Sequence, residues 1–256
     1  HFGARFCEAR FGPRRGCRAS VADRASASMA ATGPIKLTYF GIEGVAEKVR
    51  LALVLSGIDF EDERIAFDQW QAMKSTTKYG QLPMMKIGDA EPIAQSGAML
   101  RWVGQTGGLN PPELVLKIEE VIGLCEDMQR ELMPSMYIGM RPHIYGYPED
   151  MPDEEKKAIQ MKLREKLVAS DGAFPRFLGY LQNFLGDSQF MCGDKPTIAD
   201  CQLIPQLRHL TKGVLDGIPT TILDGFPKLK AYFDRFHALE KVKAYHDKLA
   251  AAAASK

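Results

Sequence analysis

The strand signal in this chain stops at one place. Before Gly107-Gly108-Leu109-Asn110-Pro111-Pro112, short alternating runs and helical runs take turns; after it, only helical spacing remains. Glycines and prolines packed this closely interrupt any regular element. The break therefore divides the chain into a part at 35–108 and a part at 111–253. A parallel sheet needs strands and crossover helices in alternation, and only the first part offers them. The second part reads as all-helical.

The first part is organised around residues 35–57. Ile35, Leu37 and Tyr39 alternate with Lys36 and Thr38, the period of a half-buried strand. Gly41 and Gly44 permit a sharp turn, and from Val45 the apolar residues Val49, Ala52 and Leu53 recur at helical spacing until Ser56-Gly57. A tyrosine thus sits where a strand meets a helix N-terminus, a place that stabilises anions. Phe60–Ile65 reads as a second strand, 68–75 as a short helix with an acidic start and 78–83 as a loop. Met84–Ile87 and 90–94 read as strands about Gly88-Asp89, and 97–105 as a helix with Ser96 as its N-cap. The order βαβαββα fits a small thioredoxin-like α/β domain. Beyond the break, helices are expected at 113–140, at 153–185 with an interruption near Pro175, and at Ile198–Thr211, 227–239 and 241–253. Thr197-Ile198-Ala199-Asp200 has the spacing of a capping box, a structural role for Thr197 and Asp200.

Composition excludes several classes. With 256 residues, 45% hydrophobic and 25% charged, the chain has the make-up of a soluble globular protein. A net charge of +1 gives no reason to expect nucleic acid. Residues 1–34 hold six arginines against Glu8 and Asp23, a net +4; subtracting that from the whole leaves a mildly acidic body of −3. This basic stretch has no strand or helix period and is expected to be a disordered tail. Its arginines and serines suit an organellar transit peptide; the alternative, which we favour, is an upstream extension with Met29 as a natural start. The five cysteines are odd in number and lack any Cys-x-x-Cys pair, which argues against a disulfide framework and for a reducing compartment. The cytoplasm is the expected location, or an organelle if 1–28 is a transit peptide. No metal-ligand spacing and no run near the ~18 apolar residues of a membrane span is found.

Five motifs in order carry a resemblance: Lys36-Leu37-Thr38-Tyr39-Phe40, Ala46-Glu47-Lys48-Val49-Arg50-Leu51, Gly80-Gln81-Leu82-Pro83, Gln95-Ser96 and the segment from Gly193 to Asp200. From residue 35 to about 249 the chain resembles a cytosolic glutathione transferase, most of all the sigma class that includes haematopoietic prostaglandin D synthase. The resemblance implies that Tyr39 donates a hydrogen bond to the glutathione thiolate. It implies that Trp70 and Lys74 hold the glycine carboxylate and that Gln81 and Leu82, ahead of a cis Pro83, meet the cysteinyl unit. Gln95 and Ser96 would receive the γ-glutamyl carboxylate, and Asp127 of the Glu126-Asp127 pair would reach the glutathione amine across a homodimer interface. Glutathione is then co-substrate or cofactor, and small, mostly apolar electrophiles are the partners.

The sequence also departs from the family pattern. Val45 stands near where the sigma class usually carries an arginine, and Glu43 places a negative charge in the same turn, expected to oppose a thiolate if it points inward. Phe40 with Met133, Met136, Tyr137 and Met140 are candidates for an apolar acceptor site. Isomerisation with glutathione regenerated, and a non-catalytic, crystallin-like ligand binder, are the rival readings.

Overall fold

The computed structural model describes residues 33–254. The basic tail, and with it the choice between transit peptide and upstream extension, lies outside the described residues.

The first part forms β1 (Ile35–Phe40), α1 (Glu47–Ser56), β2 (Phe60–Ile65), α2 (Phe67–Met73), β3 (Met84–Ile87), β4 (Ile93–Ala94) and α3 (Ser96–Thr106). The four strands make one sheet in the order β2-β1-β3-β4. Strands β1 and β2 run parallel with Ile35 opposite Phe60, while β3 is antiparallel to β1 and β4 to β3. This is the thioredoxin-like arrangement expected from the alternating periods. The fourth strand is shorter than expected, two residues against five. Helix α1 ends at Gly57, whose φ of +67° closes the turn and lets its N–H bond the Leu53 and Val54 carbonyls.

The second part is helical throughout: α4 (Val115–Met140), α5 (Asp153–Val168), α6 (Ala173–Leu185), α7 (Ile198–Thr211), α8 (Pro227–His237) and α9 (Glu240–Ala254). The interruption expected near Pro175 falls earlier, at residues 169–172. There a Cβ on Gly172 would press on the carbonyls of Lys166, Leu167 and Ala169. Pro175 instead sits in the first turn of α6, where its missing N–H has no intrahelical partner to lose.

One apolar core runs through both parts, from Leu37 and Leu53 through Val103 and Ile122 to Leu207, Phe236 and Val242. Helix α1 is the shared element, packing on α3, α7 and α9. The start of α7 is fixed by the expected capping box. Asp200 Oδ2 accepts from the Thr197 N–H at 2.7 Å and hydroxyl at 3.0 Å, and Thr197 Oγ1 accepts from the Ala199 N–H. Asp200 Oδ1 also accepts from the Met191 N–H and the Tyr232 hydroxyl, both at 2.9 Å, so the carboxylate ties three segments together. Complete burial pushes its pKa up, opposed by these donors. Among the described residues no helix is long and apolar enough to cross a membrane, and no group of three or more His, Cys, Asp or Glu could hold a metal ion.

Candidate active site

Strand register decides which residues meet. Thr38 of β1 lies opposite Met84, the first residue of β3, and Met84 lies opposite Ala94, the last of β4. The end of β1, the approach to β3 and the exit from β4 therefore share one edge of the sheet. Tyr39, Gln81, Leu82, Pro83, Gln95 and Ser96 are brought to that edge. The Leu82–Pro83 bond is cis, as the resemblance implies. Gln95 has φ +75°, a conformation rare for a side chain with a Cβ, and its amide Nε2 lies 3.4 Å from Gln81 Oε1.

Gln95, not Ser96, is the N-cap of α3; its side chain caps nothing, and Ser96 is the first helical residue. At this helix start the Ala98 and Met99 N–H groups bond the Gln95 carbonyl, which leaves those of Ser96 and Gly97 outside the helix ladder. Trp70 is buried in α2 and touches this edge through Phe40, ring to ring at 6.2 Å. Lys74 follows one turn later, its N–H bonded to the Trp70 carbonyl and its stem beside Gly80. Asp127 is elsewhere. It is exposed on α4 and paired with Arg130 at 2.7 Å. Thr197 and Asp200 act at the start of α7.

Tyr39 is the centre of the edge. It is 8% exposed, and its hydroxyl lies against the backbone of the turn at Gly44. Burial raises the phenol pKa, opposed by the Val45 N–H and by Arg50, whose guanidinium carbon lies 5.8 Å from the ring centroid. The hydroxyl thus keeps its proton at neutral pH. Val45 contributes its N–H where the family pattern has a cationic side chain. The close fit depends on Gly44, with φ +47°, because a Cβ there would stand 2.6 Å from the Tyr39 hydroxyl oxygen.

Two sets of residues at this turn escaped the sequence reading. Arg50 is wholly buried and donates to the carbonyls of Phe40, Ile42 and Glu43 and to the carboxylates of Glu47 and Asp62. Its signal was an arginine on the apolar face of α1, one turn after Glu47. The second set is the pair of cations that Glu43 meets. Its Oε1 is 3.0 Å from Arg208 Nε on α7 and 2.8 Å from Nζ of Lys212, the C-cap of α7. No local pattern signals a contact across 165 residues.

Two clefts, of about 510 and 410 Å³, lie apart from Tyr39; the first is lined by Phe60, Tyr245 and Leu249, the second by Pro111, Cys192 and Lys195. Neither holds the residues gathered at the sheet edge.

Comparison with known proteins agrees with this geometry. Residues 35–105 match the family model "Glutathione S-transferase, N-terminal domain", and residues 143–248 match "Glutathione S-transferase, C-terminal domain". The chain is 32% identical over 218 residues to glutathione S-transferase P of Caenorhabditis elegans, covering 85% of this chain and 94% of that one. Among solved structures, a prostaglandin synthase D of Nilaparvata lugens is 27% identical with a TM-score of 0.68, covering 84% of this chain and 98% of its own. A glutathione S-transferase of Necator americanus described as monomeric is 28% identical with a TM-score of 0.64, covering 84% and 97%. The chain belongs to the glutathione S-transferase family.

Proposed function

We propose that this protein is a sigma-class-like transferase that conjugates reduced glutathione to small, mostly apolar electrophiles, with Tyr39 as its catalytic residue. A cysteine thiol ionises near pH ~8.5, so most glutathione in neutral water carries an inert thiol. A phenol that donates a hydrogen bond to the sulfur favours the thiolate and lowers that pKa. The observation carrying the reading is Tyr39: its hydroxyl lies against the turn that leads into α1, while burial keeps its own proton in place. The thiol proton leaves to solvent, the sulfur attacks the electrophilic carbon, a C–S bond forms, and the leaving group departs with its electron pair.

The rest of the edge suits the tripeptide. Free N–H groups at the start of α3, with Gln95 and Ser96, take the γ-glutamyl carboxylate. Gln81 and the Leu82 backbone ahead of Pro83 take the cysteinyl unit, and the Trp70 indole N–H with the Lys74 ammonium takes the glycine carboxylate. Asp127 serves the amine if presented across a homodimer interface, and ultracentrifugation distinguishes that from a monomer. Exposed Met140, Ile144 and Tyr145, with Tyr145 and Tyr137 rings 6.5 Å apart, suit an apolar acceptor.

The test is turnover of an activated aryl chloride by wild type beside Tyr39→Phe. Loss of one charge-assisted hydrogen bond, about 1.5–3 kcal/mol, lowers the rate roughly ten- to a hundredfold while glutathione still binds. An unchanged rate would rule Tyr39 out. The structural likeness to a prostaglandin synthase supports a second reading, isomerisation. Conjugation consumes one free thiol per turnover and isomerisation none, so a thiol count against product separates them.

A further inference from the structure

The turn between β1 and α1 is gripped from two sides. From within, Arg50 holds the carbonyls of Ile42 at 2.9 Å and Glu43 at 3.3 Å. From the helical part, α7 reaches the same turn through one carboxylate oxygen, since Arg208 and Lys212 both donate to Glu43 Oε1. The two cations are four residues apart, Arg208 in the last turn of α7 and Lys212 at its C-cap. None of the three is fully open to water: their side chains are 24% (Glu43), 31% (Arg208) and 47% (Lys212) exposed. Burial works against the charge of Glu43, yet hydrogen bonds from Lys212 and Arg208 outweigh it and hold the carboxyl below its usual range.

From this clamp to the phenol is a short path. The Glu43 carbonyl accepts from the Glu47 N–H at 3.1 Å, which sets the first turn of α1. Gly44 follows with φ +47°, so close to the phenol that a Cβ there would stand 2.6 Å from the Tyr39 hydroxyl oxygen. Glycine resists little when its dihedrals change, so this turn takes its shape from what holds its neighbours.

We propose that Arg208 and Lys212 are positioning residues for Tyr39: by fixing the Glu43 carboxylate they keep the turn at Gly44 against the phenol and aim the hydroxyl proton at the sulfur. The inference rests on the reading of Tyr39 as thiolate donor. The competing account is a plain field effect, in which the two cations favour the thiolate and Glu43 opposes it. The accounts differ in sign for one variant. Glu43→Gln removes both ion pairs and leaves two positive charges, so a field alone lowers the thiol pKa and speeds conjugation. Positioning slows it.

The experiment uses the full chain with glutathione and an activated aryl chloride, measuring kcat, KM and the thiolate absorbance of bound glutathione against pH. Glu43→Gln and the double variant Arg208→Met with Lys212→Met are both expected to lower kcat by about tenfold, within the roughly hundredfold that a 1 Å misplacement can cost. Both should move the thiol midpoint to higher pH and leave KM for glutathione unchanged, while Arg208→Lys keeps near wild-type kcat. Opposite responses of Glu43→Gln and the double variant, or an unchanged kcat in both, overturn the proposal. Should either variant fold poorly, the exchange Glu43→Lys with Arg208→Glu restores a pair and is expected to recover kcat; a folded exchange variant without recovery overturns the proposal as well. Tyr39→Phe is measured alongside. If it leaves the rate unchanged, the assignment of Tyr39 itself falls, a result distinct from failure of the clamp with Tyr39 active.

Discussion

At the scale of single residues the site depends on one missing methyl group. Alanine at 44 would place a Cβ 2.6 Å from the Tyr39 hydroxyl oxygen and 2.8 Å from its Cε1, and would hold φ at +47°. That region costs a non-glycine residue about 1–3 kcal/mol. Gly44→Ala is therefore expected to destabilise the protein by that amount and to lower kcat about tenfold or more, by displacing the phenol from the turn. Denaturant unfolding and steady-state kinetics with an aryl chloride check both; full activity would show that the phenol's position against the turn is unimportant. The sequence marked Gly44 as a turn residue, because glycine between a strand and a helix has few other uses. It did not show what the glycine avoids, since the contact is with a side chain five residues away across the turn. Glu43 was legible only as a charge, because the cations that neutralise it lie on α7.

Elements were easier to read than contacts, and their ends were harder than their kinds. The capping box shows why. Its partners lie three residues apart, so the pattern alone places the start of α7, and Thr197 with Asp200 form it. The further bonds from Asp200 to Met191 and Tyr232 need the assembled core and have no local signal. Helix breaks followed the same rule. Pro175 looked like the interruption of 153–185, but a proline in a first turn is tolerated, and Gly172, crowded by carbonyls, marks the bend instead. The box carries a test. Thr197→Ala is expected to cost about 1 kcal/mol, the usual value of a lost N-cap. Asp200→Ala should cost several times more, because each buried donor left unsatisfied costs about 1–3 kcal/mol. The double variant should fall short of the sum, since both side chains serve one network. Denaturant midpoints at constant m-value measure this, and strict additivity would show that the two residues act separately.

For the whole molecule, the packing of α9 against α1 makes stability depend on pH. His237 on α8 and His246 on α9 stack with ring centroids 5.4 Å apart. His246 faces Glu47 of α1 at 4.0 Å, and the charges of Arg208, Lys212, Glu43 and His237 also act on it. Burial first, then Arg208 and His237, lowers its pKa from 6.5 to about 4. Burial likewise lowers His237 and His209. The sign follows from linkage: below pH 6.5 the unfolded chain takes up protons that the folded chain refuses. His246 thus favours the folded state fully above that pH, and its contribution is lost as the pH falls from 6.5 to about 4. Glu47 and Asp200 act in the opposite sense, since burial raises their pKa and acid relieves the cost of their charge. The overall profile therefore mixes both signs, and a difference measurement isolates the histidine. His246→Phe keeps the ring stack and removes the titration. The stability of wild type minus that of His246→Phe should decrease between pH 6.5 and 4 by up to about 3 kcal/mol, at 1.36 kcal/mol per pKa unit. Denaturant curves for both proteins at matched pH values measure it. Two profiles that stay parallel across that window would mean that His246 titrates in the fold as it does in the unfolded chain, and that the contact of α9 with α1 is open to water.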